Sequence, residues 1–209
     1  MGDWKSVIER MHGIGAKDDS SKLELLNYQY GYIGWCIGEN RKDEANKYLS
    51  LAEGNLNLIV NKKLYAAKIS SYRSAFYGFH IGLNMFAAPL YGSKSITCAK
   101  EAVSLDSLDY FGYVQLGNVY YHAPSLMGGD KLKAIQNYTK ARFKLEQNRD
   151  EMLLDWNYLS LLVSIANVYE SIGYLEKAQN SYEEILKIEP QFNYVKIKLY
   201  PNLIKKIKH

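Results

Sequence analysis

Between Ala166 and Pro190, small and aromatic residues recur at helical spacings on both sides of a glycine: Ala166, Tyr169, Gly173, Ala178, Tyr182, Ile185, Pro190. This pattern constrains the fold more than any other feature of the chain. Residues three and four apart share one helix face. Small side chains on that face let a second helix approach, and the aromatics fill the spaces beside them. The stretch therefore reads as one helix-turn-helix hairpin. Its skeleton recurs three more times: Ile33 with Ala45, Leu49 and Ala52; Leu83 with Ser95, Ala99 and Ala102; Gly117 with Ala134, Tyr138 and Ala141. The first-helix and second-helix markers lie 12 residues apart in three units (33 to 45, 83 to 95, 166 to 178) and 17 apart in the remaining one (117 to 134). The stretch HAPSLMGGDKLKA, His122 to Ala134, thus carries a five-residue insertion in one turn.

These residues resemble the tetratricopeptide repeat (TPR) family. The match is fullest over Leu159–Gln191, where Ala166, Tyr169, Gly173, Ala178, Tyr182 and Pro190 stand at motif positions. It continues through Leu116, Gly117, Tyr120, Ala134, Tyr138 and Ala141, then through AKEAVSLDS, and through Ala45, Leu49 and Ala52 in the first unit. In all it spans about residues 21 to 192. The turn GGD-x-x-KA together with long helices is similar to divergent bacterial members. A second resemblance is to the TPR component of TRAP-type solute transporters. The resemblance implies an all-α, TPR-like α-solenoid: a right-handed superhelix of hairpins whose first helices line a concave groove. It would form one domain over 1–209, with units at about 21–60, 62–107, 108–148 and 150–192, an N-terminal helix, and a capping helix at 193–209. A polar-faced terminal element of that kind keeps a solenoid soluble.

Local signals place the helices. Asp3 caps a short helix that stops at Gly13, and GIGAKDDSS is a polar linker. Ser21-x-x-Glu24 reads as a capping box opening a helix to Gly38. Further helices are expected near 41–60, 62–87, 94–105, 108–122, 131–146, 150–172, 175–188 and 191–207, the last kinked at Pro201. No strand pattern of period two is present. The unit spacings of 50 (33 to 83) and 49 (117 to 166), against 34 (83 to 117), lengthen the helices around Lys62–Ala87 and Asn148–Ser171.

Composition excludes several classes. The net charge of +4 is too mild to demand nucleic acid, and Lys196, Lys198, Lys205, Lys206 and Lys208 account for all of it. No apolar run approaches the roughly 20 residues of a membrane span. Cys36 and Cys98 make neither a disulfide framework nor a zinc spacing and read as small apolar residues. The opening MGDWKSVIERMHG is no signal peptide. The compartment is left between the cytoplasm and, if a leader precedes this chain, a bacterial periplasm.

Candidate binding residues follow from the repeat. An asparagine comes directly after the first-helix marker in three units: Asn84, Asn118 and Asn167. One residue further on turns the side chain by about 100°, toward the groove if the marker faces the partner helix. Stacked amides could hydrogen-bond an extended peptide, or they could bond between helices inside the stack. In carboxylate-clamp members of the family an asparagine at the matching place holds the peptide, beside groove lysines and arginines. Here the corresponding places hold Tyr77, His80, Phe111, Val114, Ser160 and Val163, so the clamp is missing. Tyr30, Tyr77, Phe111 and Tyr121 would show on the same face, where aromatic rings with polar tips suit peptide contact, or they pack between repeats.

In the inserted turn Pro124 stops a helix, Gly128 and Gly129 permit left-handed backbone, and Asp130 stands where a carboxylate caps the next helix. The turn reads as an enlarged capped connection or as a lip at the groove edge, and Asp130 would repel a phosphate. His12, His80, His122 and His209 form no metal spacing, and no nucleophile elbow or paired-carboxylate loop occurs. The expectation is a non-catalytic protein- or peptide-binding scaffold with no cofactor and no metal. The alternative is an accessory component of bacterial solute uptake, binding a small apolar or aromatic ligand near Tyr77, Phe111 and Tyr121 and docking to a transport protein.

Overall fold

The computed structural model describes residues 2–14, 18–147 and 155–208. All regular structure among them is helical. The centre of the expected linker (15–17), the start of the helix expected from 150, and His209 lie outside the described residues. The chain forms two compact units, Met1–Asp106 and Ser107–His209. Their junction falls between the second and third hairpins of the sequence reading.

The first unit holds α1 (Gly2–Gly13), α2 (Asp19–Gly38), α3 (Lys42–Asn57), α4 (Ala66–Leu83), a 3-10 turn (Met85–Ala87) and α5 (Ala88–Leu105). Helices α2 and α3 pair, α4 and α5 pair, and α1 lies against α2. The N-cap of α2 is Asp18, whose carboxylate accepts from the Ser21 amide at 2.7 Å, so the helix opens ahead of the expected Ser21 box. A carboxylate at this end also meets the positive pole of the helix dipole. Helix α2 closes with Asn40 in the left-handed region (φ 56°), Arg41 N–H bonding Cys36 C=O and Asn40 N–H bonding Ile37 C=O. This is a Schellman closure. It lets α3 turn back at once, which is why 12 residues suffice between Ile33 and Ala45.

Further boundaries differ from the sequence reading: α3 ends at Asn57 rather than 60, and α4 ends at Leu83 rather than 87. Helix α4 begins at Ala66 rather than 62, and α5 begins at Ala88 rather than 94. Pro89, which falls in the gap left between the helices expected at 62–87 and 94–105, is therefore not in a loop. It sits in the first turn of α5, where an N–H has no intrahelical acceptor in any helix and its absence is tolerated. Only Asn84–Ala87 separate the two helices.

The second unit holds α6 (Tyr110–His122), a 3-10 turn (Ser125–Met127), α7 (Lys131–Glu146), α8 (Trp156–Ser171), α9 (Leu175–Ile188), a π-helical turn (Tyr194–Leu199) and α10 (Tyr200–Ile207). Pairs form between α6 and α7, α7 and α8, and α8 and α9, while α10 and its π turn rest on α9. Asp109, Asp130 and Asp155 cap α6, α7 and α8 with side-chain bonds to first-turn amides. The π turn ends where Pro201 opens α10. Proline lacks the amide that would continue the ladder, which accounts for the break there.

The repeated skeleton is the core. Ile33, Ala45, Leu49, Ala52, Ser95, Ala99, Ala102, Ala134, Tyr138, Ala141, Ala166, Ala178, Tyr182 and Ile185 are all buried. Each fully buried Leu or Ile side chain stabilises by roughly 2 kcal/mol. Gly117 shows why one marker is glycine: a Cβ there would lie 2.3 Å from the Tyr138 ring. The second unit is also tied by Arg142, which holds Glu184 with two parallel bonds (3.0 and 2.7 Å) and Glu146 with a third (2.6 Å). The Tyr158 hydroxyl donates to the same Glu146 at 2.7 Å.

Candidate functional site

The three asparagines do not share one environment. On α6, Asn118 Oδ1 accepts the Tyr138 hydroxyl from α7 at 2.7 Å, and its Nδ2 donates to Gln115 at 3.1 Å. On α8, Asn167 Oδ1 accepts the Tyr182 hydroxyl from α9 at 2.8 Å. Both carboxamides are thus oriented by bonds across their own hairpin. Asn84 stands elsewhere: it follows the last residue of α4, its N–H bonds His80 C=O, and its Oδ1 accepts from Phe86 N–H at 3.1 Å. The reason lies in the second helix, where the position held by Tyr138 and Tyr182 is Ala99 in this hairpin. With no hydroxyl to receive, the asparagine serves as a cap.

The aromatic candidates divide between the units. In the first unit, Tyr77 and His80 flank Tyr91, with centroids at 5.4 and 4.7 Å and planes within 20°. His80 Nε2 lies 2.8 Å from Glu53 Oε1, and Lys94 stands 5.9 and 5.7 Å from the Tyr77 and Tyr91 rings. Tyr30 packs inward, stacked on Phe79 at 5.4 Å and edge-on to Tyr72. In the second unit Phe111 is 3% exposed and belongs to the interior. Tyr121 carries the Lys131 ammonium 3.7 Å above its ring, and burial and the Glu170 carboxylate push its phenol up. Glu170 is a local hub. Its Oε1 takes Lys206 at 2.6 Å, and its Oε2 lies 3.4 Å from the Tyr182 hydroxyl. Burial first, and then Glu170, raises the Tyr182 phenol well above its ordinary value. The second unit therefore gathers Asn167 and Tyr121 around Glu170. In the first unit Tyr77 and His80 each stack on Tyr91.

The inserted turn is closed by its own backbone. Gly129 N–H bonds Pro124 C=O, Gly128 N–H bonds Ser125 C=O, and Asp130 N–H returns to Tyr120 C=O at 2.9 Å. Gly128 takes φ +90°, and a Cβ at Gly129 would collide with the Ala123 carbonyl oxygen at 1.8 Å. Asp130 accepts from the Lys133 and Leu132 amides at 3.0 and 2.9 Å, and the Lys133 amide above all holds its carboxyl below the usual carboxylate range. Pro124, Gly128, Gly129 and Asp130 thus act together as a helix-opening cap, with Leu126 fully outside.

A concavity of about 480 Å³ opens elsewhere in the second unit, lined by α7 from Leu132 to Lys140, the end of α8 and the start of α9. Its wall is built by the α8 terminus. Gly173 takes φ +81°, Tyr174 N–H bonds Tyr169 C=O at 2.9 Å, and Gly173 N–H bonds Glu170 C=O at 3.2 Å. This second Schellman closure sets the Tyr174 ring beside Tyr169, 6.5 Å away with planes 26° apart. Lys177 stands 5.5 and 5.2 Å from the two ring centroids. Ile135 and Ile172 supply apolar lining, Gln136 and Thr139 polar groups, and among the described residues no acid lines the space.

No protein-family model matches the chain, and no curated protein matches it.

Among the described residues no group of three or more His, Cys, Asp or Glu side chains is placed to hold a metal ion. No described helix is long and apolar enough to cross a membrane. None of Tyr77, Phe111 and Tyr121 lines the concavity, which is open rather than enclosed. Sequence reasoning passed over Glu170, Lys206 and the tyrosine hydroxyls that orient the asparagines. A signal for the last was present: Asn118 to Tyr138 is 20 residues and Asn167 to Tyr182 is 15, and the difference of five is the insertion itself.

Proposed function

We propose that the protein is a non-catalytic scaffold of TPR-like helical hairpins that holds a peptide segment of a partner protein along its first-helix faces. The observation that supports this most is Asn167. Its carboxamide oxygen is fixed by the Tyr182 hydroxyl, while its nitrogen has no hydrogen-bond partner among the described residues. A half-buried, oriented amide with two N–H donors is suited to receive a backbone carbonyl. The Tyr182 hydroxyl that fixes it also lies 3.4 Å from Glu170, which pairs with Lys206 and acts on Tyr121, so an aromatic surface and both signs of charge are at hand.

Selection of peptides from a displayed random library, followed by titration, tests the reading. Asn167→Ala should weaken the selected peptide by about ten-fold, the effect of one lost hydrogen-bonding group, with an unchanged circular dichroism spectrum. Tyr182→Phe removes the same hairpin bond but keeps the amide donors, and should weaken binding less. Equal affinity for wild type and Asn167→Ala overturns the assignment.

A further inference from the structure

The concavity between α7 and the α8–α9 turn shares no residue with the Asn167 face and has its own chemistry. We infer that it is a second binding site, taking a short peptide segment of a partner in which a large apolar side chain is flanked by carboxylates.

Three observations carry this. The space, about 480 Å³, has the size of one or two large side chains and falls within the range of small-ligand sites. Its lining is apolar and aromatic at the centre, with Ile135, Tyr169, Ile172 and Tyr174, while Leu132 is exposed at 60%. The charges at the lining are all of one sign. Among the described residues, Lys140 and Lys177 have no ion-pair partner and no carboxylate lines the space. Lys177 is poised over the Tyr169 and Tyr174 rings, which attract its ammonium without neutralising it. Lys140 bears instead on the Tyr113 ring, 5.9 Å away. A carboxylate on either side of an apolar anchor would meet an unpaired ammonium, and Gln136 and Thr139 can serve the segment's backbone. A neutral apolar segment would fill the space but leave both charges unanswered.

The Schellman closure gives the site its rigidity. Tyr174 is set by its own backbone bond to Tyr169 and by that of Gly173 to Glu170, so one wall exists before any ligand arrives. Preformed walls reduce the ordering that binding requires.

The test uses the full chain and the fluorescein-labelled peptide DEWLDE, read by fluorescence anisotropy. DEWLDE should bind saturably, and the isosteric NQWLNQ should bind about ten-fold more weakly, as should DEWLDE to the Lys140→Glu, Lys177→Glu double variant. Raising salt should weaken the first interaction and leave the second nearly unchanged. Leu132→Ser, at an exposed position that leaves the core intact, should weaken both peptides alike. Lys205→Glu with Lys208→Glu makes the same change in net charge elsewhere and should leave DEWLDE affinity within two-fold. Absence of DEWLDE binding, equal affinity for the two peptides, or equal losses in the two double-lysine variants each overturns the inference.

Discussion

In the second unit both hairpins are joined by a tyrosine hydroxyl from the second helix to an asparagine on the first. In the first unit neither is. There the α2–α3 pair is tied by Tyr32 donating to Glu44 at 2.8 Å, and α4–α5 by the Ser95 hydroxyl donating to the Ser74 carbonyl at 2.9 Å. The buried small residues are the same in kind in all four hairpins, while the polar ties differ. Shape complementarity along the repeat specifies the pairing of helices, and hydrogen bonds satisfy whatever polar groups the local sequence leaves beside the seam. Where Tyr138 is replaced by Ala99, the tie moves and the asparagine changes its task.

This contrast can be broken first at Gly117. Gly117→Ala should destabilise by about 2 kcal/mol, because the added methyl must displace the buried Tyr138 ring. The equivalent position on α8 already holds Ala166, buried beside Tyr182, so Ala166→Gly should cost only about 1 kcal/mol. Urea unfolding followed by circular dichroism distinguishes the two. Equal stability of Gly117→Ala and wild type would remove the close contact on which the third hairpin is built.

Tyr138→Phe and Tyr182→Phe come next. Each deletes one hydroxyl tie to an asparagine oxygen, at about 1 kcal/mol. A double-mutant cycle of Tyr138→Phe with Asn118→Leu should recover part of that loss, since removing both partners of a bond is milder than removing one. Asn84→Ala should cost less, about 0.5 kcal/mol, because it removes only an exposed cap. If Asn84→Ala costs as much as Tyr138→Phe, the distinction between the units fails.

The smallest difference is at acid pH. Asp19 accepts the Asn61 and Val60 amides and Lys22, which hold its carboxyl down at about 2. Its folded pKa lies below its unfolded value of about 3.9. The stabilisation it gives is complete above that unfolded value and is lost as pH falls through about 2. Thermal unfolding between pH 5 and about 2 should show a shallower acid limb in Asp19→Asn than in wild type.

Much of the fold was legible. The spacing of small and aromatic residues identified the buried seam of each hairpin, because helix periodicity converts sequence distance directly into a face. The α4–α5 connection was misplaced because proline reads as a breaker in isolation, although in a first helical turn it is not one. Asn118 and Asn167 were found in one row with Asn84, but whether each pointed outward or to a partner depended on the residue facing it on the following helix, Tyr138 and Tyr182 in two cases and Ala99 in the third. The lysine-edged concavity was not legible. Leu132, Ile135 and Lys140 lie more than 25 residues from Tyr169, Tyr174 and Lys177, and each group alone reads as ordinary helix surface.

The inserted turn between α6 and α7 has one further consequence. Its extra residues are gathered into a knot of backbone bonds that begins at Tyr120 and ends at Asp130, so the strain of a longer connection never reaches Gly117 or Tyr138. The tip around Leu126 can accept additional sequence, such as an epitope or a fluorophore-bearing segment, while the two helices keep their alignment, much as a rope can be lengthened beyond a cleat without slackening the part under load.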